Sequence, residues 1–439
     1  MLGNIRGLRL SRNKCWIERL GIIMKSKFLT GFLSGLVGAL FLGTIGLTIY
    51  VTQVEGNNSA RQNVESTSDR SNEESVAGQP SKAVIDKINK LEMLINQYYM
   101  DEVDETVMAD GIYKGLLQSL KDPYSVYYTK DEYTALMESS SGVYCGIGAS
   151  VSQDVKTGII SIVKPFLTGP AHEAGVLPGD VLYKVNGEEV TGEDLTEVVG
   201  KIKGEEGSKA KLTIIREGVT DPMEFSITRR TIEVPTIEYE MLDNKIGYIA
   251  VSEFDEVTAE QFREAVADLE KQGQKGLIID VRNNPGGLLT TVVDMLDRIL
   301  PKGLIVYTED KYGNKEEKFS TAKEEFKKPL AVLINGNSAS ASEIFAGAIQ
   351  DYKVGTIVGT TSFGKGIVQS IIPLTDGTAI KVTVSKYYTP KGRNIHKIGI
   401  EPDVKEELKD DLRQKVVIEK NEDNQLQKAI GIIEKNLKK

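Results

Sequence analysis

KGLIIDVRNNPGGLLTTVVDMLDRIL, residues 275–300, reads as an apolar strand, a glycine-rich turn and a helix within 26 residues. The same succession lies on either side of it. KIGYIAV (245–251) is a strand and AEQFREAVADLEKQG (259–273) a helix, while PLAVLING (329–336) leads into SASASEIFAGAIQDY (338–352). Strand–helix alternation from residue 230 onward predicts an α/β domain on a largely parallel sheet. In such a sheet, ligands are expected at the turns that follow the strands.

Upstream, the pattern changes. Between about 140 and 230 come short strands with glycine turns: GIGASV, IISIV, VLYKVNG, KAKLTIIRE and EFSITRR. Helices at GPAHEAG and TGEDLTEVVGKIKG interrupt them, which predicts a compact β-rich module. Residues 81–139 carry apolar side chains at three- and four-residue spacing (Ile85, Ile88, Leu91, Leu94, Ile95), predicting two or three helices that a turn at Asp122-Pro123 breaks. Beyond Val404 the tail is charged and reads as helical, closing with DNQLQKAIGIIEKNL.

The N-terminus is unlike the rest. Residues 1–27 hold seven basic side chains against Glu18, followed by 24 uncharged residues, Phe28–Val51. As a helix that segment is about 36 Å long, enough to cross a bilayer. No clean A-x-A site follows it, so an uncleaved anchor is expected rather than a signal peptide. The basic flank puts the N-terminus in the cytoplasm and the chain after Val51 outside it, a bacterial-like single-pass arrangement in the cell membrane. MKSK at Met24 reads as an alternative natural start. Residues 52–80 are polar and free of aromatics, a linker that cannot form a core.

The 439 residues carry a net charge of −9, which excludes nucleic acid as the expected partner. Cys15 and Cys145 fall on opposite sides of the expected membrane, and Cys145 is expected to pack rather than react. His172 and His396 are far apart and have no third ligand-type neighbour, so neither a metal nor any cofactor is expected.

Chemistry is concentrated after the strand that ends at Gly336. Ser338, Ser340 and Ser342 all stand near a helix start, where free N–H groups and the helix dipole favour an oxyanion. Ser340 and Glu343 also fit a capping box that needs no chemistry. In TTSFGKGIVQ (360–369), Lys365 stands between two glycines in an apolar run. A neutral lysine can serve as general base if burial lowers its pKa from about 10.4 toward 7–8, at roughly 4 kcal/mol. Gln369 in a straight strand would lie about 13 Å away, so contact with Lys365 requires a bend, expected at Gly364 and Gly366. Asp351, some 16 Å along the helix from Ser340, is expected to be structural. Gly286 or Gly287 of the NNPGG turn offers a second oxyanion N–H.

In this order, DVRNNPGG, NSASASEIFAGAIQDY and TTSFGKGIVQ resemble the carboxyl-terminal processing (tail-specific) proteases, serine peptidases with a Ser–Lys dyad. The resemblance spans about residues 85–430. It implies Ser340 as nucleophile, Lys365 as general base and Gln369 as the residue that orients the lysine. The backbone N–H groups of Ala341 and Gly286 would form the oxyanion hole. It also implies a ClpP/crotonase-like α/β peptidase core, and a dimer or cap formed by the N-terminal helices and the tail.

The β-rich module, through YCGIGASV and GPAHEAGVLPGDVLYKVNGEEV, resembles a PDZ domain. Its Gly146, Ile147, Gly148 and Ala149 would present backbone N–H groups to a substrate's terminal carboxylate. Together these readings predict a multidomain α/β protein: a basic N-terminus (1–27), a transmembrane helix (28–51), a linker (52–80), a helical region (81–139), a PDZ domain (140–230), a peptidase core (231–405) and a charged tail (406–439). The expected activity is that of a membrane-anchored serine endopeptidase acting on proteins or peptides with accessible C-termini. One rival reading is a membrane-tethered PDZ scaffold without activity, against which Ser340, Lys365 and Gln369 stand together. The other is a crotonase-like acyl-CoA enzyme, which would have neither the anchor nor the PDZ module.

Overall fold

The computed structural model describes residues 80–438 apart from 414, 416 and 417. The expected transmembrane helix at 28–51 and its flanks lie outside the described residues. Among the described residues no helix is long and apolar enough to cross a membrane. The chain divides into two units after Tyr99. The described part of the first is helix α1 (Lys82–Tyr98).

The second unit opens with α2 (Glu105–Gln118), capped by Asp104, whose carboxylate accepts from the N–H groups of Thr106 and Val107. Strand β1 (Val126–Tyr128) follows, then α3 (Lys130–Ser141) behind a Thr129–Glu132 capping box. Strand β2 (Val143–Gly146) leads into the β-rich module. This contains β3 (Ala149–Gln153), β4 (Ile160–Pro165), α4 (Pro170–Glu173), β5 (Val181–Val185), β6 (Glu188–Glu189), α5 (Leu195–Ile202), β7 (Lys209–Ile215) and β8 (Met223–Thr228). Its antiparallel sheet runs β3-β4-β5-β7-β8 with β6 on β5, over a core that includes Ile160, Leu182 and Leu212. Asp180, buried, is held by Arg216 at 2.6 Å. The chain then leaves the module along β9 (Arg230–Glu233), which pairs antiparallel with β2.

The core domain comprises β10 (Ile237–Leu242), β11 (Ile246–Val251), α6 (Thr258–Lys271), β12 (Gly276–Asp280), α7 (Leu289–Asp297), β13 (Gly303–Asp310), β14 (Lys315–Ser320), β15 (Leu330–Ile334), α8 (Ala341–Tyr352), β16 (Thr356–Gly359), β17 (Ile367–Pro373), β18 (Ala379–Tyr388), β19 (Val404–Lys405) and α9 (Asn424–Leu437). One sheet runs β10-β11-β12-β15-β16-β19, parallel from β11 onward, as the alternation predicts. Period-two alternation covers both faces. Leu277, Ile279, Val332 and Ile334 pack with α6, α7 and α8, whereas Ile278, Ala331 and Leu333 meet Leu426, Ala429 and Ile433 of α9. Each such leucine, isoleucine or valine contributes about 1.5–3 kcal/mol by leaving water.

Two features depart from the sequence reading. A second sheet, β1-β18-β13-β14 with β17 on β18, joins the VYY segment after the Asp122 turn to the peptidase core. The tail is not helical throughout: α9 starts only at Asn424, where Asp423 accepts from the N–H groups of Gln425 and Leu426.

Candidate active site

Strands β12, β15 and β16 are consecutive parallel neighbours, so their C-terminal ends deliver three loops side by side. These are the 281–288 turn, the 335–340 segment and the 360–366 loop, which carry the glycines, serines and lysine singled out above.

The three serines differ. The Ser338 hydroxyl donates to the Val281 carbonyl at 2.7 Å and accepts from Asn335 N–H at 3.0 Å. Ser342 donates to the Asn284 carbonyl at 2.9 Å. Both are fully buried. Ser340 is half-buried at the N-cap of α8, with φ 54° and ψ −112°, a conformation non-glycine residues rarely hold. Its capping box has the Ser340 N–H donating to Glu343 Oε2 at 2.9 Å and the Ser340 side chain turned toward the Glu343 N–H, and among the described residues the hydroxyl donates its proton to no acceptor. Buried Tyr387 pins the Ser340 carbonyl from β18 at 3.1 Å.

Glu343 does more than cap. Its Oε2 also accepts from Lys365 N–H at 2.8 Å, and Oε1 accepts from Gly364 N–H at 2.7 Å and Ser362 Oγ at 2.5 Å. One buried carboxylate therefore ties the serine's backbone to the lysine's. The S-x-x-E spacing signals only the first of these bonds.

Lys365 is half-buried, and its Nζ lies 4.7 Å from the centre of the Tyr124 ring. Burial, followed by the charge of Lys381, pushes its pKa below the ordinary lysine value, against the opposing pull of Asp122 and Glu343. Among the described residues no hydrogen bond joins Nζ to Ser340 Oγ or to Gln369. The expected Lys365–Gln369 hydrogen bond is not made in this arrangement: Gln369 Nε2 donates instead to Thr383 Oγ1 at 3.3 Å. The chain is irregular through 360–366, with Gly364 at φ 89°, and a bulge between Val368 and Gln369 follows once β17 has begun. Gly366 has another reason: a Cβ there would lie 2.5 Å from the backbone nitrogen of His396.

The turn after β12 abuts the serine. A Cβ on Gly286 would lie 2.8 Å from Ser340 Cβ and 3.0 Å from Ala341 N. Its N–H, however, donates to Asn284 Oδ1 at 2.8 Å, because the Asn284 side chain folds back over the turn. As it stands this amide is not the free donor the sequence reading assigned. Among the described residues, Gly287 N–H and Ala341 N–H have no hydrogen-bond acceptor. Asp351 accepts from Lys391 N–H and Arg393, the structural role expected of it.

In the β-rich module, a groove of about 340 Å³ runs between β3 and α5, lined by Tyr144, Ile147, Ala149, Val151, Val199 and Ile202. The Gly146–Ala149 loop closes one end, with Gly148 at φ 73° against Gly169. Cys145 beside it is a half-buried free thiol whose pKa burial raises, so it is not an activated nucleophile.

Residues 245–406 match the model of peptidase family S41, residues 168–216 that of the PDZ domain, and residues 40–132 that of the activating protease CtpB N-terminal domain. Carboxy-terminal processing protease CtpA of Bacillus subtilis is 41% identical over 341 residues, covering 76% of this chain and 72% of that protein. The chain belongs to the carboxy-terminal processing proteases of family S41. Carboxy-terminal processing protease CtpB of the same organism is 41% identical over 324 residues, covering 73% of this chain and 67% of that protein. A putative S41 protease from Bacteroides fragilis shares the fold at 16% identity, with a TM-score of 0.50 over 79% of this chain and 97% of that one. Membership makes the chain a serine peptidase of mixed α/β fold with a PDZ domain.

Proposed function

We propose that this family member cleaves protein substrates near their C-termini with Ser340 as nucleophile and Lys365 as general base. The observation that carries the reading is that Ser340, unlike Ser338 and Ser342, donates its hydroxyl proton to no group among the described residues, while Glu343 joins its backbone to that of Lys365. Lys365 swings from the Tyr124 ring to Ser340 Oγ and, as the free amine, takes its proton. Oγ attacks the scissile carbonyl, and the oxyanion draws on Ala341 N–H and on the Gly286–Gly287 turn, where the Gly287 N–H is free. The lysine proton then goes to the leaving amine, and water hydrolyses the acyl-enzyme. Gln369 orients the lysine.

The groove beside Gly146–Ala149 takes the substrate's terminal residues as an added strand, with the carboxylate on the loop's N–H groups. The apolar 28–51 segment anchors the chain in the membrane, with the peptidase on the extracytoplasmic side, on the strength of its length and basic flank.

The test is to offer the full chain in detergent an unfolded reporter with an apolar C-terminal tail, beside the same reporter with its carboxylate amidated. The reading expects cleavage of the first and at least ten-fold slower cleavage of the second. Equal rates would remove the groove from substrate selection. Binding of the free-tailed reporter with no cleavage would favour a PDZ scaffold.

A further inference from the structure

The Asp122-Pro123 turn, which the sequence presents as a helix stop, enters the active site. Asp122 Oδ2 accepts from Ser125 Oγ at 2.6 Å and from Thr383 Oγ1 at 2.6 Å, and Oδ1 accepts from Tyr124 N–H at 3.1 Å. Ser125 Oγ accepts in turn from Thr383 N–H at 3.1 Å. The turn is therefore latched to β18 at the residue opposite Gln369 across the β17 bulge.

The polarity of this chain of bonds is fixed from one end. An ionised carboxylate only accepts, so the Thr383 hydroxyl gives its single proton to Asp122 and has only lone pairs left for Gln369. The amide must then turn its NH₂ toward Thr383, as it does at 3.3 Å, which leaves Oε1 as the acceptor for a lysine. Tyr124, between Asp122 and Ser125, carries the ring that faces Lys365 Nζ.

We propose that the Asp122–Ser125 turn is a working part of the catalytic apparatus: Asp122, through Thr383, is the positioning residue that sets which way the Gln369 amide faces, and Tyr124 holds the Lys365 ammonium between turnovers. The proposal rests on the Ser340–Lys365 reading above. Four groups face the lysine: Asp122 and Tyr124 from the turn, Glu343 from α8 and Lys381 from β18. His396 faces Asp122. Burial works against ionisation of Asp122, but the bonds from Ser125, Thr383 and Tyr124 outweigh it and hold the carboxyl below the usual aspartate range. It is thus charged at working pH.

In Asp122→Asn, the oxygen stays on Tyr124 N–H and the new NH₂ donates to Thr383. The Thr383 proton then turns to Gln369 and the amide reverses. Loss of the negative charge also eases deprotonation of Lys365.

The test measures kcat, KM and the pH dependence of kcat/KM for the full chain in detergent on a fluorogenic peptide with an apolar tail. The variants are Asp122→Asn, Thr383→Val, Thr383→Ser and Lys365→Ala, with thermal melts to verify folding. Expected are a ten-fold or greater fall in kcat for Asp122→Asn and Thr383→Val with KM within two-fold of the parent. Thr383→Ser should recover activity to within three-fold, and the acid limb of Asp122→Asn should move to lower pH. An unmoved limb, parent-like rates in Asp122→Asn and Thr383→Val, or a Thr383→Ser variant as impaired as Thr383→Val would overturn the proposal. Undiminished activity in Lys365→Ala would instead overturn the dyad, which the other variants do not test.

Discussion

Ser340 and Lys365 donate their backbone N–H groups to the same oxygen of Glu343, at 2.9 and 2.8 Å. The proposed nucleophile and base lie 25 residues apart in sequence, on loops after neighbouring strands. A shared buried carboxylate keeps the two loops in register more firmly than two separate caps could. Glu343→Gln puts an NH₂ in place of one accepting oxygen, against backbone donors. It should lower stability by roughly 2–4 kcal/mol and reduce cleavage at least hundred-fold, read by denaturant melts and a peptide assay. A melt and rate like the parent's would show that the carboxylate is only a cap.

Gly286 combines a φ of 111° with a Cβ direction blocked by Ser340 Cβ and by the Ala339 carbonyl at 2.9 Å. Gly286→Ala should displace Ser340 and cost about 1–3 kcal/mol of backbone strain. The reading expects kcat to collapse while binding of a tail peptide to the PDZ groove, measured by fluorescence anisotropy, stays within two-fold.

In the proposed dyad Lys365 acts as a base only without its proton, so kcat/KM should rise with pH along a limb whose midpoint lies below the ordinary lysine value of 10.5. Burial sets that direction first and Lys381 adds to it. Lys381→Gln removes a like charge and should move the limb to higher pH. A pH profile unchanged by this substitution would disconnect Lys381 from the base.

Asp255, which lines the groove beside Tyr144 and Ile147, is buried, and burial together with the nearby Glu253 pushes its carboxyl up to about 6. The folded state therefore favours the protonated acid. That stabilisation is complete below the unfolded value near 3.8 and disappears as pH rises through about 6. Asp255→Asn should stabilise the protein by about 2 kcal/mol at pH 7.5 and by much less at pH 4. Equal melting shifts at both pH values would contradict this.

Much of the scaffold is legible in the sequence, because parallel strands buried on both faces leave apolar runs such as GLIID and LAVLI. The β17–β18 and β13–β14 hairpins are less legible: LIVYTED and KVTVSKYY mix charges into half-exposed strands. Within the site, the choice among the three serines was beyond spacing alone, since it depends on which hydroxyls meet Val281 and Asn284 across the fold. Glu343 announces one bond through its distance from Ser340, whereas its bonds to Ser362, Gly364 and Lys365 exist only once β16 lies beside β15. The role of Asn284 in holding the Gly286 amide likewise follows from a turn geometry that NNPGG permits but does not impose.

The most direct measurement is cleavage of an unfolded, apolar-tailed reporter by the full chain in detergent, beside Ser340→Ala and Lys365→Ala variants that melt like the parent. The account expects turnover by the parent alone, with product termini near the reporter's C-terminus by mass spectrometry. Cleavage by Ser340→Ala at the parent's rate would contradict it.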